Sequence, residues 1–120
     1  MNKDDVLKVL GKIESDIGCK FPVLYKKFLS EEVGDSDAYE FTKKNGEALY
    51  IFNYKDLVER NDTYAIQDSA PDFLLIGQDG DLGYFINLSD GSDKIYSLDL
   101  GALGSLDMDE EGKNLYSLRM

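Results

Sequence analysis

A chain of 120 residues, 42% of them hydrophobic, has the size of one domain and enough apolar mass for a core. Its formal charge is −11, from 13 Lys/Arg against 24 Asp/Glu, with no His and a single Cys. That composition excludes Ser–His and Cys–His nucleophile pairs, imidazole zinc sites and an intramolecular disulfide. Direct binding to nucleic acid or to an anionic membrane needs Lys/Arg-rich faces, so neither is expected. No apolar run approaches the roughly 18 residues that cross a bilayer. Acids and lysines interrupt the N-terminus throughout, which does not read as a signal peptide. The expectation is a cytoplasmic protein with Cys19 as a buried or partly buried free thiol.

Residues 4–18 carry Val6, Leu10, Ile13 and Ile17 on one helical stripe, with Asp4 and Asp5 in the first turn and Gly18 at the stop. A second helix is predicted to begin at Pro22, with Leu24, Tyr25, Phe28 and Leu29 as its apolar face and Gly34 as its end. Glu31 to Asp37 reads as an acidic loop. Asn45-Gly46 between alternating runs predicts a β-hairpin over 38–43 and 47–52, because both residues tolerate positive φ. Asn53 suits the cap of a short helix over Tyr54 to Asn61, with Leu57 and Val58 facing inward. Asp62 to Ala70 has no clear pattern, and Pro71 opens a strand region.

Asp72 to Leu100 predicts an antiparallel meander, at about 73–77, 83–88 and 94–99, with two tight Gly/Asp turns. Asn114 to Leu118 reads as either a last strand or a short helix. A short C-terminus leaves a strand edge open to pairing. Helices first and strands in blocks give an α+β fold, with a mostly antiparallel sheet and N-terminal helices packed against it. Residues 1–120 read as one domain without repeats. Tyr39, Tyr50, Tyr84 and Tyr96 read mainly as core by alternation, with one or two of them as the alternative facing a partner.

Charge is uneven along the chain. Residues 1–60 hold 10 Lys/Arg against 12 Asp/Glu, and residues 61–120 hold 3 against 12. A protein with a basic surface is the partner that such a distribution attracts and selects. The candidate partner-binding residues are the loop acids Asp79, Asp81, Asp90, Asp93, Asp107, Asp109, Glu110 and Glu111. No catalytic residue, metal ligand or cofactor site is expected. Asp107, Asp109, Glu111 and Gly112 imitate the start of a calcium loop, but Leu118 stands where the bidentate Glu belongs. That stretch reads instead as a turn with solvated acids. Gly77, Gly80 and Gly83 lack the Lys-Ser/Thr and following helix of a phosphate loop.

Several segments together resemble one family. FPVLYKKFL (21–29), the short helix ending in Asn61, PDFLLIGQDG (71–80), and the strands Tyr84–Leu88 and Ile95–Asp99 resemble, in order and spacing, the SUKH superfamily of fungal cell-wall regulators and bacterial immunity proteins. Members often carry Gly-Gly where this chain has its acidic 31–37 segment. The resemblance implies an α+β fold and a non-enzymatic role. In the bacterial branch that role is to neutralise polymorphic toxins, often nucleases, by binding them; in a regulatory branch it is to bind a cellular protein. It transfers no catalytic residue.

Overall fold

Six strands form one antiparallel sheet in the computed structural model, which describes residues 2–105 and 107–119. They are Tyr39–Thr42 (β1), Ala48–Ile51 (β2), Phe73–Asp79 (β3), Leu82–Asn87 (β4), Ile95–Asp99 (β5) and Asp109–Gly112 (β6). Each strand pairs only with its neighbours in sequence, so the sheet is a meander with no crossover. The helices are Lys3–Ile17 (α1), Val23–Phe28 (α2), Tyr54–Thr63 (α3), Ile66–Ser69 (α4) and Leu115–Leu118 (α5). The fold is α+β, as the block order of helices and strands implies.

Local chemistry accounts for most boundaries. Asn2 and Asp5 form a capping box that starts α1, and the helix ends at Gly18. Val6 and Leu10 are buried, but Ile17 is 45% exposed and does not continue the stripe. The chain reverses at Gly18, and the backbone N–H of Phe21 packs against α1. That group needs an acceptor rather than a methyl, and buried Glu14 supplies it at 2.7 Å while pairing with Lys26 at 3.2 Å. Cys19 lies in this reversal and is exposed, contrary to the expected burial.

Phe28, fully buried, anchors α2 to the sheet and the C-terminal segment. Its ring meets Tyr39 and Phe41 at 5.7 Å and Tyr116 at 5.3 Å. Full burial of one such side chain contributes about 1.5–3 kcal/mol. The chain then continues through a π-helical turn, Leu29–Val33, so the first three residues of the expected acidic loop, Glu31 to Val33, are helical. Asn53 caps α3 as its sequence position predicts, accepting from the N–H groups of Lys55 and Asp56. Val58, expected inward, is 44% exposed. The inward positions of α3 are Leu57 and Asn61. Asn61 donates to the carbonyls of Leu57 and Leu75 and accepts from the N–H of Leu75. Because β2 reaches only Gly77 and Gln78 of β3, this side chain takes the place of a strand neighbour at Leu75. The unpatterned segment after α3 contains the single turn α4, whose Ile66 is fully buried.

The β3–β4 hairpin is tight, with Gly80 (φ 58°) and Asp81 between the paired Asp79 and Leu82. The β4–β5 connection is not: it spans residues 88–94 and is shaped by side-chain turns such as Asp90 accepting from the Ser92 N–H. Residues 109–112, expected as a turn, form β6 on the edge of the sheet. Asn114 then starts α5 with its own capping box, which resolves the strand-or-helix alternative in favour of a helix. The outer edge of β1 is partly covered rather than open. Lys43 and Arg119 form an antiparallel bridge, and the Lys44 N–H donates to the Leu118 carbonyl at 3.0 Å.

Candidate partner-binding surface

The eight candidate acids do not form one surface. Asp79 and Asp81 lie at the β3–β4 turn, and the register Ser97↔Asp109 places the start of β6 toward that same end of the sheet. Asp90 and Asp93 lie at the opposite end, in the β4–β5 connection. Asp79, Asp81, Asp90, Asp107, Asp109 and Glu110 are exposed. Asp93 is half-buried and accepts from the N–H groups of Leu24 (3.3 Å) and Tyr25 (2.9 Å). Pro22, at the cap of α2, has no side-chain acceptor, so a residue from a distant loop satisfies that helix end. Glu110 pairs with Lys94 at 3.3 Å, on the surface.

Glu111 belongs to an internal network. Lys43 is buried, and its Nζ donates to Tyr84 Oη at 2.9 Å and to Glu111 Oε1 at 3.3 Å. The other Glu111 oxygen accepts from Ser97 Oγ at 2.8 Å. Burial alone would lower the Lys43 pKa, but its hydrogen bonds to Tyr84 and Glu111 and the Glu111 charge outweigh burial and raise it. Burial raises Tyr84 despite the ammonium beside it. At neutral pH Tyr84 is an uncharged phenol, so Glu111 is the counter-charge of Lys43. A lysine held in its charged form is a structural cation rather than a nucleophile or base. With Asp109 and Glu111 both in β6, and Glu111 taken by Lys43, the apparent calcium loop is a sheet edge.

A different acidic site lies between the hairpin, α3 and the end of β3. It is a cleft of about 330 Å³ whose lining includes Asp37, Tyr50, Phe52, Asp56, Arg60 and Gln78. Asn53 positions its walls: it caps α3, which carries Asp56 and Arg60, and donates to the Ser36 carbonyl at 3.0 Å beside Asp37. Tyr50, expected mainly as core, is 51% exposed. In β2 the buried positions are Leu49 and Ile51, so Tyr50 faces the other way, with Gln78 as its cross-strand partner. Gly77 permits the close approach of β2 and β3 here, since a Cβ would come 2.5 Å from the Tyr50 carbonyl oxygen. Arg60 sits over the Phe52 ring at 5.8 Å. The sequence signal for this site was the Tyr50–Gln78 parity, hidden because Ala48 to Ile51 is apolar throughout.

The sequence profile of the SMI1 / KNR4 family (SUKH-1) matches residues 8–117. The chain belongs to this family. None of the curated proteins matches the sequence. The segments through which the chain resembles SUKH proteins have physical roles here: Tyr25 and Phe28 are buried in the core, Asn61 bonds the β3 backbone, and Gly77 and Gly80 shape the end of β3. SUKH-1 membership points to a protein partner, in an immunity or regulatory setting. Among the described residues no helix is long and apolar enough to cross a membrane.

Proposed function

We propose that this SUKH-1 chain is a cytoplasmic, non-enzymatic immunity-type protein that binds a cognate polymorphic toxin, often a nuclease, and blocks it. Residues 1–120 act as one domain, without cofactor, nucleic acid or membrane. The observation that carries this reading is charge: a net −11, with exposed Asp79, Asp81, Asp107 and Asp109 set toward one end of the sheet. A nuclease site is basic because it holds phosphate, and an acidic protein can occupy that site as a polyanion. Asp90 at the other end is exposed as well, while Asp93, Glu110 and Glu111 contribute less, being already engaged within the chain. Blocking requires only occlusion and complementary potential.

The test is a pull-down with tagged protein from lysate of its own organism at low and high salt, read by mass spectrometry. The expected result is one basic toxin or nuclease domain, lost at high salt because exposed charges are screened. Capture of signalling or wall-synthesis proteins instead overturns the toxin reading in favour of the regulatory one.

A further inference from the structure

We infer that the Tyr50 cleft is the point at which the partner is gripped, and that it takes an arginine side chain projecting from that partner. This inference rests on the protein-binding reading above and names the contact within it. The cleft combines three features suited to a guanidinium. Tyr50 offers an exposed aromatic surface, on which a planar cation stacks. Asp37 and Asp56 supply carboxylates, and among the described residues neither is in an ion pair. Two of the lining residues, Asp37 and Asp56, are acidic against one cation, Arg60, and the lining residue Gly80 stands between Asp79 and Asp81 in sequence.

Gln78 supplies the third feature. Its Nε2 donates to the Gly80 carbonyl at 2.9 Å and lies 3.4 Å from Tyr64 Oη, which fixes the amide orientation. Its Oε1 is then buried with no donor in contact among the described residues. A buried acceptor without a donor is uncommon and unfavourable, and a guanidinium carries five N–H groups in a fixed fork. Arg60 over Phe52 shows that this wall of the cleft already receives an arginine. The other apolar groove, lined by Leu7, Val23, Lys26 and Lys27, has the opposite sign and repels such a side chain.

The experiment is an amide-resolved NMR titration of the full chain with N-acetyl-arginine methylamide. The matched citrulline and lysine compounds serve as controls. Saturable shifts are expected at residues 37–38, 50–52, 56 and 78–80, absent with citrulline and weaker with lysine. Tyr50→Ala and Asp56→Asn should each weaken binding about threefold or more, while Asp16→Asn, on the exposed end of α1, leaves it unchanged. Tyr50 is exposed, so its variant keeps the fold. Shifts spread over all acidic loops, equal binding of citrulline, or unaltered binding in both cleft variants overturn the site. Equal binding of the lysine compound overturns the arginine assignment. The probe is independent of any captured protein. A basic partner that binds while arginine does not would leave the proposed function standing and remove this site.

Discussion

The Lys43 network and the Tyr50 cleft are both polar sites on the same sheet, and they use charge in opposite ways. Around Lys43 each charge has a partner: one ammonium, one carboxylate, a phenol and a hydroxyl account for one another. In the cleft, among the described residues, two carboxylates are in no ion pair and a buried amide oxygen has no donor. Satisfied groups hold a structure together; groups left wanting a partner are what a second molecule can complete. Acidity in this chain therefore divides into acids that build the fold and acids that the proposed partner contact would use.

Removing Glu111 should have the largest effect. Glu111→Ala leaves a buried ammonium without counter-charge, and we expect a loss of about 2–4 kcal/mol in urea unfolding. The partial exposure of the Glu111 side chain (25%) keeps that figure below the cost for a fully enclosed pair. A loss no greater than that of Asp79→Ala would erase the distinction between the two regions. Asp93→Ala comes next, because it strips the cap from α2; about 1 kcal/mol is expected by the same assay. Asn in its place should recover most of that.

Tyr25 sharpens the comparison from inside the core. Its hydroxyl is buried without a partner among the described residues, so Tyr25→Phe should change neutral stability by no more than about 1 kcal/mol in either direction. Its effect lies in pH. Burial pushes the Tyr25 phenol well above its usual range, so the folded chain retains a proton that the unfolded chain gives up. Stability from this source is whole below about pH 10 and falls as pH rises beyond it. Lys43, with its raised pKa, acts in the same direction. The urea midpoint should therefore fall with pH above 10 in the parent chain and fall less steeply in Tyr25→Phe. The smallest stability effect belongs to Asp79→Lys with Asp81→Lys, within about 0.5 kcal/mol. The same pair should slow association with a basic partner and flatten its salt dependence, as stopped-flow measurement at two ionic strengths would show.

Features written locally were legible in the sequence. Gly46 (φ 90°) and Gly80 (φ 58°) take the positive φ of their hairpin turns, though Asn45, which also tolerates it, does not, and Asn53 caps the helix that follows it. Val6 and Leu10 mark the core face of α1 by spacing alone. Features that depend on distant partners were not. Asp-Glu-Glu-Gly has none of the apolar alternation of a strand; it is a short charged edge, the kind of segment that discourages further pairing. Only Lys43, 68 residues earlier, explains Glu111, and only the helix end at Leu24 and Tyr25 explains Asp93. Those two acids have the same loop-like surroundings in sequence as Asp79 and Asp81, so charge and position alone grouped them together.

The meander also sets the order in which the chain can be completed during synthesis. Each hairpin can close as soon as its second strand leaves the ribosome, since no strand waits for a remote neighbour. Lys43 departs from that order: it follows β1, yet its phenol comes from β4 and its counter-charge from β6. A nascent chain that has not yet produced residue 111 can assemble most of its sheet but must leave that ammonium in water. The last strand thus completes a network that begins just after the first, and a chain cut short before residue 111 lacks the carboxylate that pairs with Lys43.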